Sequence, residues 1–355
     1  MGLALRLAER GRGQTSPNPM VGAVVVTPQD VVVGLGYHRK AGEPHAEILA
    51  LHQAGARAHG ATLYCTLEPC AHVGRTGPCC VAVRDAGVAR VVAAAQDPNP
   101  QVAGRGLAFL RRAGVDVTSG VLLEEATRQN VAFFTAMRRG RPWVVLKVAT
   151  SLDCRVSAAP GERTALTGAE ANRAAHRFRA EVDAIGVGSE TVLVDNPRLT
   201  VRGVYRERPL VRVIFDTRLR TPPDAVVLRT GGQGPVVIMT TEAACDAAPD
   251  RVETLRAAGA EIVMGPSRDL AAALRLLGMR DVRSLLIEGG PTLHQAAWRC
   301  DAVDRVQVFV SPRLLGPQGV AWELAPGFSV ATLANPRVTP LGADVLLEGD
   351  VHGPD

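Results

Sequence analysis

The stretch Gly42-Glu43-Pro44-His45-Ala46-Glu47 and the segment Thr66–Cys80 together hold a His-x-Glu, a Pro-Cys and a further cysteine. These residues lie on separate pieces of chain, so a fold that uses them jointly must bring several element ends to one point. Pro44 is expected to be the first residue of a helix running through Ala54, where the N–H it lacks would be unpaired anyway. His45 and Glu47 then sit in the first turn near the positive end of the helix dipole, diverging by roughly 200° about the axis. Ala61–Leu67 reads as a buried strand ended by Glu68-Pro69-Cys70. Cys79 is expected to open a second helix through Ala86, closed by Gly87, with Val88–Ala95 a further apolar strand.

One His and two Cys form a tetrahedral set with one position left for water, the arrangement of a catalytic rather than a structural zinc. The order of parts matches zinc-dependent nucleobase deaminases, in which the His binds metal and the Glu carries protons without being a ligand. His45, Cys70 and Cys79 are therefore the candidate ligands of one Zn2+ per chain. Glu47 is the candidate acid and base, a role worth about 10²–10⁴ in rate. Cys80 could replace Cys79 on sequence alone, whereas Cys65, inside the strand, is expected in the core. Eight residues separate Cys70 from Cys79, more than in the common Pro-Cys-x-x-Cys. Asn18, in the turn Ser16-Pro17-Asn18-Pro19, is either plain turn chemistry or an amide that holds a pyrimidine edge beside the metal.

Three cysteines beside histidines suit a metal in a reducing compartment. No stretch offers the ~18 apolar residues of a membrane span, and the first residues lack a signal pattern; cytoplasm is the expected location. A chain of 355 residues exceeds the size at which one core stops growing, so two domains are expected. Arg138-Arg139-Gly140-Arg141-Pro142 is the boundary, giving domains 1–142 and 143–355. Before it, a helix over 3–10, a hairpin of 21–26 with 31–37, a helix 105–113, a strand 115–118 and one helix over 122–138 are expected. The net charge of +5 rests on arginine, with Lys40 and Lys147 the sole lysines. An RNA or single-stranded DNA base editor would need aromatics among its basic residues for stacking. With aromatics at 4%, that reading is set aside.

The second half alternates apolar strands (143–149, 184–188, 210–215, 236–239, 261–264, 284–287) with helices, the pattern of a mostly parallel sheet covered by helices. Lys147 stands inside an apolar strand, an expensive place for a cation unless paired or working, and is the candidate catalytic residue there. Glu288-Gly289-Gly290-Pro291-Thr292-Leu293 is a strand end, a Gly-Gly turn and a helix start, whose bare N–H groups suit a phosphate. Arg179, Arg198 and Arg202 could clamp a phosphate or be exposed cations.

With these residues assembled, the chain resembles the bifunctional riboflavin-biosynthesis deaminase/reductases. The strings Pro17–Gly22, Ala41–Glu47, Thr66–Cys80, Gln96–Gly106, Leu146–Asp153, Thr191–Pro197 and Glu288–Leu293 carry the resemblance. It implies a cytidine-deaminase-like three-layer α/β/α domain followed by a dihydrofolate-reductase-like α/β domain. The first would deaminate 2,5-diamino-6-(5-phosphoribosylamino)pyrimidin-4-one, and the second would reduce the ribosyl group to ribityl with NADPH. Family positions facing NADP fall on Ala149, Thr191, Asp195, Thr217, Gly290, Pro291, Thr292 and Leu293. Those facing substrate fall on Asn18, Arg163, Arg179, Leu199, Arg202 and Glu288. The expected partners are this small molecule and further copies of the chain, with neither nucleic acid nor membrane.

The departures gather in the second half. Cys154 stands where the family has Gly, Arg163-Thr164-Ala165-Leu166-Thr167 where it has Ser-x-Trp-Ile-Thr, and Asn196 where it has Asp. If the Gly serves a positive φ, Cys154 would impair reduction. A deaminase with a merely structural second domain is the alternative.

Overall fold

The structure, a computed structural model, describes residues 1–71, 77–100, 102–265, 268–323 and 332–352. It divides into two compact units, the first over Met1–Gly140 and the second beginning at Arg141.

In the first unit α1 (Gly2–Ala8) precedes β1 (Gly22–Val26), β2 (Val32–Tyr37), α2 (Ala46–Ala54) and β3 (Thr62–Leu67). Then come α3 (Cys79–Asp85), β4 (Arg90–Ala95), α4 (Arg105–Arg112), β5 (Asp116–Ser119), α5 (Leu123–Gln129) and α6 (Val131–Arg139). The sheet runs β2-β1-β3-β4-β5. β1 is antiparallel to both its neighbours, while β3, β4 and β5 are mutually parallel. Alternate residues of β1 serve two layers, as strand periodicity requires. Ala23 and Val25 join a core with residues of α2, α3 and α4, whereas Val24 meets Ala4 and Leu7 of α1. With helices on both faces, the strands are unbroken apolar runs.

Gly34 and Gly36 of β2 let α2 lie directly on the sheet. A Cβ on Gly36 would collide with the Ala46 carbonyl oxygen, and one on Gly34 with that of Ala50. The His-x-Glu segment is thereby pressed onto the sheet edge.

Two expected boundaries differ. The helix starts at Ala46, not at Pro44: His45 is its N-cap, with extended backbone (φ −69°, ψ 160°). The His45 carbonyl already accepts from the Leu49 N–H at 3.2 Å, as an N-cap carbonyl does. His45 and Glu47 are thus freed from the 200° divergence of two helical residues. The single helix expected over 122–138 is two helices broken at Asn130, whose Oδ1 accepts from the Met20 N–H (2.7 Å) and whose Nδ2 donates to the Met20 carbonyl (2.8 Å). A tertiary contact there outweighs helical continuity.

The second unit begins with β6 (Trp143–Ser151), β7 (Arg155–Ser157), α7 (Ala169–Glu181), β8 (Ala184–Gly188), α8 (Ser189–Asp195) and β9 (Val211–Phe215). It continues with α9 (Val226–Arg229), β10 (Val236–Thr241), α10 (Glu242–Ala247), α11 (Pro249–Ala257), β11 (Ala260–Gly265) and α12 (Leu270–Met279). It ends with β12 (Ser284–Ile287), α13 (Pro291–Arg299), β13 (Arg305–Ser311), β14 (Val320–Ala321), β15 (Ala334–Leu341) and β16 (Asp344–Asp350). One sheet runs β11-β10-β9-β8-β12-β6-β13-β16-β15, parallel from β11 through β13 and antiparallel from β13 through β15. β7 and β14 pair separately. Asp304, buried, accepts two bonds from Arg141 (2.6 and 2.9 Å) and one from the Val144 N–H (2.8 Å), pinning the start of β6.

The antiparallel edge of β15 and β16 has no counterpart in the expected pattern. β15 is mostly exposed and contains Pro336 and Pro340. Proline demotes a run in sequence, yet an edge strand tolerates it because one of its sides needs no donors.

Candidate active sites

In the first unit the end of β3, the cap of α2 and the start of α3 meet. His45 Nδ1 lies 3.2 Å from Cys79 Sγ and 3.5 Å from Cys70 Sγ, and the Cys79 N–H points at Cys70 Sγ at 3.4 Å. The three ligand atoms lie within 4.8 Å of one another. A nitrogen and two sulfurs so gathered, with no carboxylate in the set, fit the borderline-soft Zn2+. Cys80 belongs to the apolar core with Cys65, whereas the Cys79 sulfur lies in the cluster with His45 and Cys70. Hydrogen bonding from Cys79 draws the Cys70 thiol down to about 4, and the same contact with burial pushes Cys79 up.

Glu47 is 3% exposed and hydrogen-bonds the Cys79 thiol. Burial pushes its carboxyl up to about 7, against the opposing pull of His45. A carboxyl poised there can hold or release a proton near neutrality, which a solvated glutamate cannot.

Two further side chains shape this site that residue patterns did not single out. His38, 2% exposed, contacts the Pro44 carbonyl through Nδ1 (3.3 Å) and lies edge-on to the His45 ring, centroids 5.4 Å apart. Its Nε2 is 3.2 Å from Asn18 Nδ2, so Asn18 reaches the metal cluster through His38. Glu68, 4% exposed, accepts from the backbone N–H groups of Asp97 (3.2 Å), Gly104 (2.9 Å), Gly106 (2.8 Å) and Leu107 (3.2 Å). It thereby ties the turn bearing Cys70 to the loop that follows β4. A Cβ on Gly106 would strike the Pro69 carbonyl oxygen, so this approach needs glycine. The loop centre at Gly74-Arg75-Thr76, between the two cysteines, lies outside the described residues.

In the second unit Lys147, Arg179 and Glu288 converge from β6, α7 and the end of β12. Arg179 donates twice to Glu288 (2.7 Å each) and once to the Thr200 carbonyl (3.1 Å). Lys147 Nζ stands 4.0 Å from Glu288 Oε2 and 5.2 Å from the Phe309 ring centre. Burial would raise the Glu288 carboxyl, but the charges of Arg179 and Lys147 more than offset it and hold it at about 2. Burial also lowers the Lys147 ammonium from its ordinary value, with Glu288 opposing. Arg202 joins the group through His176 on α7. Leu199 is buried with φ 52°, so its side chain faces the core.

A cavity of about 510 Å³ opens past the ends of β8, β9 and β10. Thr217, Thr292 and Leu293 line it with Phe215, Met239 and the basic Arg218, Arg220 and Arg268. Gly290 caps α13 and Pro291 is its first residue. Ala149, Thr191 and Asp195 are on β6 and α8 and are not among the residues lining this cavity, although Ser189 and Glu190 of α8 are. Arg163 is exposed, and its charge is felt at Asp195, whose carboxyl is raised by burial. Glu190, paired with Arg220 at 2.9 Å, and Asp269 share the lining, and the apolar walls with the remaining cations suit an anionic ligand.

The profile of the cytidine and deoxycytidylate deaminase zinc-binding region matches residues 1–95, and that of the RibD C-terminal domain matches residues 142–347. The riboflavin biosynthesis protein RibD of Aquifex aeolicus is 42% identical over 316 residues, 89% of this chain and 87% of that one. A solved structure of Acinetobacter baumannii RibD is similar with a TM-score of 0.87 at 37% identity, covering 99% of this chain and 97% of that chain. The Thermotoga maritima diaminohydroxyphosphoribosylaminopyrimidine deaminase/5-amino-6-(5-phosphoribosylamino)uracil reductase reaches 0.84 at 32% identity over the same shares. No helix among the described residues is long and apolar enough to cross a membrane. A zinc-binding deaminase region in the first unit, a RibD C-terminal domain across most of the second, and relatives matched over most of the chain place it in the RibD family of bifunctional riboflavin-biosynthesis enzymes.

Proposed function

We propose that the first unit deaminates 2,5-diamino-6-(5-phosphoribosylamino)pyrimidin-4-one and that the second reduces the resulting ribosyl compound to its ribityl form with NADPH. The observation that carries the reading is the convergence of His45, Cys70 and Cys79 on one point with the buried Glu47 against them. His45, Cys70 and Cys79 would hold one Zn2+, which when bound supplies the Lewis acidity that activates water near neutral pH. Glu47 takes up the proton and passes it to the ring nitrogen and the departing ammonia. Asn18, steered by His38, is read as the amide that holds the pyrimidine edge.

In the second unit Thr217, Thr292, Leu293 and the basic lining would receive NADPH, the source of reducing equivalents when bound. Gly290 and Pro291, at the start of α13, are read as bordering the same cofactor, with Ala149, Thr191 and Asp195 reaching it from β6 and α8. Arg179 fixes Glu288 as a carboxylate, and Glu288 in turn holds the Lys147 ammonium toward the sugar. Arg202 and Arg179 take the sugar phosphate, with the Leu199 backbone and Arg163 bordering it.

The test is Glu47→Ala in the full chain, assayed for ammonia release and zinc content together. Ammonia release should fall by at least about 100-fold, with one zinc retained per chain. Loss of the metal along with activity would make Glu47 a ligand and sink the assignment.

A further inference from the structure

α7 ends at Glu181, and its C-cap Val182 has extended backbone (φ −89°, ψ 159°). A helix that stops so leaves its last carbonyls without intrahelical donors. The backbone turn that commonly supplies them needs a left-handed residue, usually glycine, and Glu181-Val182-Asp183 has none. The Asp183 N–H, next in line for the Arg179 carbonyl, turns instead to the Ser284 hydroxyl at 2.9 Å.

Arg206 stands in for that turn. Its Nη1 donates to the carbonyls of Ala180 and Val182 (2.7 Å each) and reaches that of Arg179 at 3.2 Å. Its Nε and Nη2 donate the other way, to the carbonyls of Arg208 (2.6 Å) and Pro209 (3.3 Å) on its own segment. One planar fork thus joins two pieces of backbone, with its cation at the negative end of the helix dipole.

No regular element lies between α8 and β9. The stretch starts at Asn196, whose left-handed backbone ends α8. Its middle meets α7 through the Thr200 carbonyl, which accepts from Arg179 (3.1 Å), and through the Arg202 N–H, which donates to His176 Nδ1 (3.2 Å). Arg179 gives its other bonds to Glu288. The same helix end therefore carries Arg179 toward Glu288 and, through Arg206, holds the far end of the stretch that brings Thr200 to Arg179.

We propose that Arg206 is a positioning residue for the reduction, clasping the stretch over 197–205 to the end of α7 so that Arg179 meets Glu288 and the Thr200 carbonyl together. The proposal rests on the reading of the second unit as reducing a phosphoribosyl compound. The hydrogen bonds of Arg206 go to backbone carbonyls and reach neither Lys147 nor Glu288, so its effect passes through Arg179 and the loop. Loosening the clasp should weaken binding of the sugar compound and leave the chemical step alone. A lysine keeps the charge at the helix end but not the two-sided fork, which makes charge and clasp separable.

The experiment compares R206A and R206K with the native full-length protein, following NADPH oxidation on the deaminated ribosyl compound. In both variants KM for that compound should rise by about tenfold, the effect of losing one charged hydrogen bond. kcat and the KM for NADPH should hold. Ethylguanidinium, which replaces the atoms that R206A removes, should bring its KM back toward the native value, and ethylammonium should not. R206K with a native KM would reduce Arg206 to a charge at a helix end and overturn the proposal, and this variant decides alone if R206A fails to fold. A fall in kcat at unchanged KM, or a defect in R206A that ethylammonium relieves equally, would overturn it too. Native protein that leaves NADPH unoxidised on this compound would sink the reductase reading and the proposal with it.

Discussion

Cys154 follows Ser151-Leu152-Asp153 with φ 58°, in the left-handed region that glycine occupies without cost. Asp153 fixes that turn, accepting from the Ser151 hydroxyl (2.6 Å), the Leu315 N–H (3.0 Å) and the Gly316 N–H (2.8 Å). The turn is thus kept although its glycine is not, at a strain of about 1–2 kcal/mol. Cys154→Gly should raise stability by about 1 kcal/mol, less whatever the freer unfolded chain takes back. A higher urea midpoint at unchanged slope checks this, and an unmoved midpoint would mean the turn is relaxed. Asn196 needs no such correction, since asparagine tolerates its φ of 41° and its Oδ1 accepts from the Val226 N–H at 2.8 Å. His45, Glu47, Cys70 and Cys79 were legible in the sequence because their chemistry lies in side-chain identity and order. Glu68 was not, because its work depends on which backbone amides the fold brings to it. Glu68→Gln replaces one acceptor oxygen by a donor and leaves a buried N–H opposed, a cost of about 1–3 kcal/mol. Ammonia release should fall while zinc content holds, and proteolysis should increase within the loop after β4. Full activity in this variant would reduce Glu68 to a spectator.

At the scale of elements, α2 shows how little tolerance separates fold from site. Its contact with β2 depends on Gly36, where even a methyl group would meet the Ala46 carbonyl beside the Glu47 turn. Gly36→Ala should cost about 1–3 kcal/mol as an overpacked contact and weaken zinc retention, because His45 caps the displaced helix. Stability loss with metal affinity intact would uncouple the two. The apolar strands and the helices between them were legible from periodicity, as were the parallel stretch β8–β12 and the Gly-Gly turn before α13. The break at Asn130 and the strand β15 were not. Each is decided by a partner distant in sequence: Met20 for the first, the β16 edge for the second. His294 on α13 adds a pH signature of the same long-range kind. It is 1% exposed, Trp322 Nε1 donates to its Nδ1 (3.2 Å), and burial with the Lys147 charge lowers its pKa to about 4. The folded state therefore binds this proton more weakly than the unfolded state, whose value is 6.5. Its contribution is complete above about pH 6.5 and is lost as pH falls toward 4. Between pH 7 and 5 the loss should be roughly 2 kcal/mol. Urea midpoints at those two pH values, compared with those of His294→Leu, test this; an equal drop in the variant would assign the loss to other groups.

Across the whole molecule, the two chemistries draw on separate sets of residues. The main core of the first unit is built from residues up to Phe134, and that of the second from residues beginning at Val144. The candidate zinc ligands His45, Cys70 and Cys79 and Glu47 come from the first, while Lys147, Arg179 and Glu288 come from the second. Substitution at one site should therefore leave the other working. Glu47→Ala should lose ammonia release yet oxidise NADPH when given the deaminated ribosyl compound. Lys147→Ala should release ammonia at the native rate yet leave NADPH unoxidised. The decisive arrangement is the mixture of the two variants supplied with the diamino pyrimidine. If the deaminated compound travels through solvent, the mixture should make the ribityl product after a lag set by its accumulation, and doubling the Lys147→Ala share should shorten that lag. Both steps would then need only two intact sites in the same solution. A mixture that releases ammonia but never oxidises NADPH, with each variant passing its own single-step assay, would instead require the compound to be handed over within one molecule.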